Sequence, residues 1–308
     1  MLMENIILHP SVHSITFTQA VEAFRLMAVS EGQSKNTLKL YPFIFDSFRR
    51  WYGQESIAGI NSNILRSYLA SLGRDRGYKP HTVHIHFRVL RTFFNFLLRE
   101  GAVDENPMTR MKAPKLPKSF PFVLSDSQVQ ALLKAPDRNT WTGLRNKTIL
   151  LTFLDTGLRR SELINLELKD LDLGNRSIRV IGKGEKTRDV YIGKKLQKAL
   201  AGWLKVRGFQ AYEEAVFITE EGDRLKSRNV NQILERLAEK AGITGVRCSP
   251  HTLRHTFATN YIRNGGDPFS LQQLLGHSDI KTCMIYVHMA GVALREAHAK
   301  FSPVDRMG

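Results

Sequence analysis

The segment NPMTRMKAPKLPKSFP, residues 106–121, constrains this chain more than any other stretch. It carries four prolines and four basic residues and no acid. Proline has no amide proton to donate, and its ring clashes with the preceding helical turn, so neither a helix nor a central strand runs through such a run. Proline-rich chain is extended and semi-rigid. The segment reads as a linker, and its positive charge also suits a strap along a phosphate backbone. It leaves residues 1–105 on one side and 122–308 on the other. A chain of 308 residues has room for two cores, because single cores stop growing near ~250–300 residues.

The front part reads as helices. Thr16 and Gln19 form a capping box ahead of Phe17, Val21, Phe24 and Met27. Ser34 caps a second helix through Leu38, Tyr41, Phe45, Phe48 and Trp51, with Pro42 predicting a kink or a late start. A third helix is expected near 62–72. A fourth opens at Lys79–Pro80, where proline suits a first turn, and stops near Gly101.

The back part mixes periods. Ser125 and Gln128 make another capping box, and helices are expected at 126–134, 142–156 and 159–167. RSIRVIGKGEKTRDVYI, at 176–192, reads as two strands around a Gly182–Gly184 turn. AVFIT at 215–219 is a candidate third strand. Helices follow at 227–240, 252–264, 268–275 and 279–288, then an amphipathic piece from 292 to 300. The expected class is mostly α with a small antiparallel β-sheet.

Lys and Arg exceed Asp and Glu by 45 − 29 = 16. Such a surplus calls for a polyanion, nucleic acid first and an anionic membrane surface second. The basic residues are spread along folded segments instead of forming one amphipathic helix, which sets the membrane reading aside. Two cysteines, Cys248 and Cys283, give no disulfide framework and fit a reducing cytosol. MLMENIILHP lacks the pattern of a signal peptide. The apolar run ILLTFL falls far short of the ~20 residues that span a bilayer.

The chemistry concentrates near the end of the chain. HTLRH, at 251–255, packs two imidazoles and a guanidinium into one turn and a half of helix. His251 and Arg254, three apart, share a face. Arg159 ends TGLR at an expected helix start, and Lys183 sits at the hairpin tip. Two guanidiniums, an ammonium and imidazoles converging on one point would cradle a phosphodiester, since the planar guanidinium fork matches phosphate oxygens. Zinc is the rival use of His251 and His255. The residues between them are Thr252, Leu253 and Arg254, so no glutamate stands ready as a base and a cation would repel the metal. No metal and no cofactor is expected. His255 reads as a packing or supporting histidine. Tyr286, nine residues after His277, would be an ordinary core tyrosine but for that spacing.

Together these stretches resemble the catalytic domain of the tyrosine recombinases, the phage integrase family. TGLRRSEL carries that family's first arginine at Arg159, VIGKGEKTRDV its hairpin lysine at Lys183, HTLRHTFAT its HxxR pair at His251 and Arg254, LLGH its histidine at His277, and KTCMIYVH its tyrosine at Tyr286. The resemblance is strong over 125–290 and weaker over the front helices, which resemble the family's core-binding domain. The layout is closest to Xer-type recombinases and simple transposon integrases. Cys283 and Val287 depart from the family, standing where threonines often occur.

The resemblance implies a helical core-binding (SAM-like) domain over 1–105, a linker over 106–121, and a catalytic domain over 122–308 with a C-terminal docking tail. It implies a cytoplasmic site-specific recombinase that joins double-stranded DNA as a tetramer on two duplexes, alone or with a partner recombinase. Tyr286 would attack the scissile phosphate, giving a 3′-phosphotyrosyl bond and later a Holliday junction. Arg159 and Arg254 would grip the non-bridging oxygens. His251 would act as base, Lys183 would protonate the 5′-oxygen, and His277 would bond the phosphate, with Glu162 orienting the cradle. The rival readings are a type IB topoisomerase-like nicking-closing enzyme and a non-catalytic DNA-binding protein on the same fold.

Overall fold

The computed structural model describes residues 15–117, 120–182, 187–208, 214–276 and 279–291, together with 298, 302 and 304–306. The chain divides into two compact units, Met1–Ser119 and Phe120–Gly308.

The first unit is built from α1 (Phe17–Ser30), α2 (Lys35–Tyr52), α3 (Ser62–Arg74) and α4 (Pro80–Arg99). Both expected N-caps form. The Thr16 hydroxyl accepts from the Gln19 amide, and Ser34 accepts from Thr37. Helical spacing turns Phe17, Phe24, Phe45, Phe48 and Phe93 inward, all at most 2% exposed. Their rings meet edge-on or tilted, with the Phe45 and Phe93 centroids 4.8 Å apart. Pro42 does not delay α2, which runs through it. An interior proline costs ~3 kcal/mol, and the burial of Tyr41, Ile44, Phe45 and Phe48 around it offsets that cost. Met108 and Met111, inside the proline-rich segment, are buried in this same core.

The second unit is also mostly helical. It holds α5 (Asp126–Lys134), α6 (Trp141–Thr156), α7 (Arg160–Ile164), α8 (Lys194–Arg207), α9 (Ser227–Lys240), α10 (Pro250–Arg263), α11 (Pro268–Leu275) and α12 (Lys281–Ala290). A three-stranded antiparallel sheet has the order β1 (Leu171–Asp172), β2 (Ser177–Ile181), β3 (Thr187–Tyr191). The expected hairpin pairs Ile178 with Val190 and Val180 with Arg188. Alternation turns Ile178, Val180 and Val190 into the core.

Two expectations need correction. The third strand is Leu171–Asp172, not AVFIT. Residues 215–218 are fully buried but pair only through isolated bridges, Glu167 with Ala215 and Ile218 with Arg224. A helix unforeseen in the sequence, α8, lays Leu196, Leu200 and Trp203 into the core at helical spacing. Among the described residues, no helix is long and apolar enough to cross a membrane.

Candidate active site

One loop and two helices of the second unit bring Arg159, His251, Arg254 and Tyr286 together. α6 ends at Gly157, whose φ of 62° is the left-handed conformation open to glycine. A side chain there would also collide with Phe257 and Leu275. Two residues on, Arg159 is the N-cap of α7. Its own amide donates to Glu162 Oε2 at 2.7 Å, and its Nη1 donates to Oε1 at 2.8 Å. The acid in the first turn of α7 thus holds the arginine that precedes the helix.

Glu162 also receives a second guanidinium. Arg188, on β3, donates through Nη1 to Oε1 at 2.8 Å and through Nη2 to Oε2 at 2.9 Å. The carboxylate is 3% exposed. Burial alone would raise its pKa, but the bonds from Arg188 and Arg159 outweigh burial and hold it below the usual carboxylate range. It is therefore a fixed anion set between two arginines.

The last carbonyls of a helix lack intrahelical partners. At the end of α11 three successive carbonyls find guanidinium donors. Leu274 O accepts from Arg188 Nε at 2.8 Å, Leu275 O from Arg254 Nη2 at 2.8 Å, and Gly276 O from Arg159 Nη2 at 3.1 Å. Cations are favourable at this negative end of the helix dipole. Arg254 spans further, donating through Nη1 to Gly157 O at 2.7 Å. It is 5% exposed. Burial first, then the charge of Arg159, pulls its pKa down to about 10, which still leaves it a cation at neutral pH. Gly276 adopts φ 62°, and any side chain there would meet the Arg188 guanidinium at 3.2 Å. The glycine of LLGH therefore serves both the turn and the close approach of Arg188.

The arginine row faces a tyrosine and two histidines. Ser249 caps α10, its hydroxyl accepting from the Thr252 amide. His251 lies exposed on the first turn. Partial desolvation and the nearby charges of Arg160, Arg254 and Arg159 depress its pKa. One turn further in, His255 Nδ1 lies 2.9 Å from the Tyr286 hydroxyl. Tyr286, on α12, is 2% exposed in a cluster with Phe257, Ala258, Ile262, Leu271, Leu275 and Cys283. Burial pushes its phenol above the ordinary value, and the Arg254 charge works against that rise.

Four of the six expected residues, Arg159, His251, Arg254 and Tyr286, thus converge. Lys183 and His277 lie outside the described residues, as does nearly all of 292–300. Beside Arg159 a cleft of about 620 Å³ opens toward the hairpin, with Arg179, Gly182 and Arg224 among its walls. Among the described residues, no group of three or more His, Cys, Asp or Glu side chains could hold a metal ion. The motif spacing does not point to Arg188, and it leaves His255 a packing or supporting residue. Arg188 did leave a signal, an arginine on the same strand face as buried Val190.

Residues 123–291 match the model of the phage integrase family. The tyrosine recombinase XerC of Shewanella amazonensis is 35% identical over 266 residues, covering 86% of this chain and 89% of the relative. The tyrosine recombinase XerD of Listeria innocua is 33% identical over 285 residues, covering 90% and 96%. The fold matches the crystal structure of the XerH site-specific recombinase bound to its palindromic difH substrate in a post-cleavage complex. That match has a TM-score of 0.75 and 21% identity, over 92% of this chain and 84% of the other. With a family match over more than half its length and relatives above 30% identity along most of it, the chain belongs to the phage integrase family, the tyrosine recombinases.

Proposed function

We propose that this protein cuts and rejoins specific double-stranded DNA sites through a covalent bond to Tyr286, with the first unit gripping the duplex and the second carrying out the chemistry. The Tyr286 oxygen bonds the scissile phosphorus while the P–O5′ bond breaks. The 3′-phosphotyrosyl linkage conserves the bond energy, so strand exchange needs no nucleotide cofactor. The freed 5′-hydroxyl of a second duplex reverses the step, and two such exchanges pass through a Holliday junction. Four protomers on two duplexes supply the four tyrosines that this requires. The work belongs in the cytoplasm, on the cell's own DNA or on a mobile element.

The observation that carries this reading is the meeting of Arg159 and Arg254 on the end of α11 beside Tyr286. Their guanidiniums are fixed before any substrate arrives, so stabilising a pentacoordinate phosphorus costs little reorganisation. Arg159 and Arg254 take the non-bridging oxygens. His251, at the exposed start of α10 beside those arginines, bonds the phosphate with His277. Lys183 protonates the departing 5′-oxygen. Glu162 holds Arg159. The surplus of 16 positive charges predicts that DNA affinity falls steeply with salt, as counterions leave each contacted phosphate.

The test is covalent trapping. Labelled duplex fragments from around the gene, nicked so that the short product diffuses away, are incubated with the protein in chelator. Wild type gives a protease-sensitive shifted band on a denaturing gel, and Tyr286→Phe gives none. A band persisting in Tyr286→Phe would reject Tyr286 as nucleophile. Relaxation of supercoiled plasmid without a preferred site would favour the nicking-closing alternative.

A further inference from the structure

We infer that His255, rather than His251, takes the proton from the Tyr286 hydroxyl as that oxygen attacks the phosphate. The inference rests on Tyr286 being the nucleophile. A general base must lie within about 2.6–3.2 Å of the proton's heavy atom. His255 Nδ1 stands 2.9 Å from the phenol oxygen, with the two rings 5.8 Å apart and tilted by 40°. His251, four residues earlier, is one turn nearer solvent and exposed. The pair sits on one face of α10, with His255 inside and His251 at the mouth.

The surroundings keep His255 able to accept. Arg254 and His251 face it from α10, and Tyr286 faces it from α12 with Cys283 one turn before it. Burial first, then the charges of His251 and Arg254, depresses its pKa, so the ring is a neutral imidazole at neutral pH. In the step, the Tyr286 O–H bond breaks as O–P forms. The proton moves to Nδ1 and makes an imidazolium, and the P–O5′ electron pair leaves on the 5′-oxygen. On rejoining, the imidazolium returns the proton to the departing phenolate. Arg254 stabilises that phenolate, since its charge lowers the Tyr286 pKa.

The experiment is single-turnover cleavage of a nicked duplex whose bridging 5′-oxygen is sulfur, so the leaving group needs no acid. His255→Asn places a carboxamide near Nδ1. It keeps a hydrogen bond and accepts no proton. Rates are followed from about pH 6 to about pH 10, the ordinary ionisation of a phenol, and His255→Asn should be slowed ~10²–10³-fold at neutral pH. The gap should close about tenfold per pH unit as the phenol ionises unaided. His251→Asn should keep the wild-type pH profile. A constant deficit at every pH would make His255 a positioning residue only. A wild-type or faster rate would mean the bond merely parks the phenol. Either result overturns the inference, and so does a rising profile in His251→Asn instead. Adducts in Tyr286→Phe would sink the parent reading, whereas an unchanged rate in His255→Asn sinks only this one. Wild-type protein gives a second test that no variant can spoil. Its histidine ¹⁵N spectrum should show His255 with bare Nδ1, shifted in Tyr286→Phe, and a protonated Nδ1 on the neutral ring would contradict the assignment.

Discussion

Among the described residues, two tyrosine–histidine pairs share one hydrogen-bond distance and differ in their consequences. In the first unit the Tyr68 hydroxyl lies 2.9 Å from His86 Nδ1; in the second, Tyr286 lies 2.9 Å from His255 Nδ1. Tyr68 also donates to Ser47, which accepts from Arg76 as well. Aromatic rings of Phe48, Trp51 and Tyr78 close around that pair, and both members are at most 1% exposed. Burial drives Tyr68 up to about 12 and His86 down to about 4. Neither group can change charge at neutral pH, so the pair is a fastening. Tyr286 has Arg254 beside it and a half-buried histidine leading toward exposed His251. The hydrogen bond alone does not make a site. What sets the second pair apart is the row of arginines on the end of α11 and the path to solvent.

The sharpest way to break this comparison is to remove the two hydroxyls in turn. Tyr286→Phe should abolish the covalent adduct altogether. Tyr68→Phe should leave adduct formation intact and cost ~1–2 kcal/mol of stability, read by chemical denaturation, for the lost buried bonds. Next comes Arg254→Lys. An ammonium cannot donate to Gly157 O and Leu275 O through one planar fork. Cleavage should fall ~10²–10³-fold, measured as the single-turnover rate with DNA saturating.

Arg188 tests whether the arginine row extends past the expected residues. Arg188→Ala leaves Glu162 with half its donors and strips Leu274 O of its partner. Removing one partner of a buried ion pair costs ~3–5 kcal/mol, so the second unit should melt earlier. Arg188→Lys should recover stability better than cleavage, because charge returns without the fork.

The last effect concerns the pH dependence that His86 imposes on stability. Its pKa in the folded state lies below the unfolded value of 6.5. The unfolded chain therefore binds the extra proton, and stability present above pH 6.5 drains as pH falls toward 4. The loss should approach ~2–3 kcal/mol at about 1.4 kcal/mol per unit. His86→Phe should flatten that slope in denaturation curves, while leaving the cleavage rate at neutral pH unchanged.

Legibility followed locality. Caps, the hairpin and the motif residues Arg159, His251, Arg254 and Tyr286 are written in short stretches, where residue type and spacing already carry the chemistry. Leu196, Leu200 and Trp203 mark α8 by the same kind of spacing, although the lysines among them mask it. What escaped depends on distant partners. AVFIT has the composition of a strand, yet its neighbours offer only single bridges. Arg188 meets Glu162 across 26 residues, and His255 meets Tyr286 across 31. Only the return of β3 past α7, and of α12 over α10, gives those side chains their parts.

The most direct measurement of the central claim is the identity of the residue joined to DNA. The trapped adduct would be digested with nuclease and protease and the nucleotide-bearing peptide sequenced by mass spectrometry. One modified peptide, with the nucleotide on Tyr286, is the predicted result. A nucleotide on any other residue, or cleaved DNA with no peptide attached, would contradict the account.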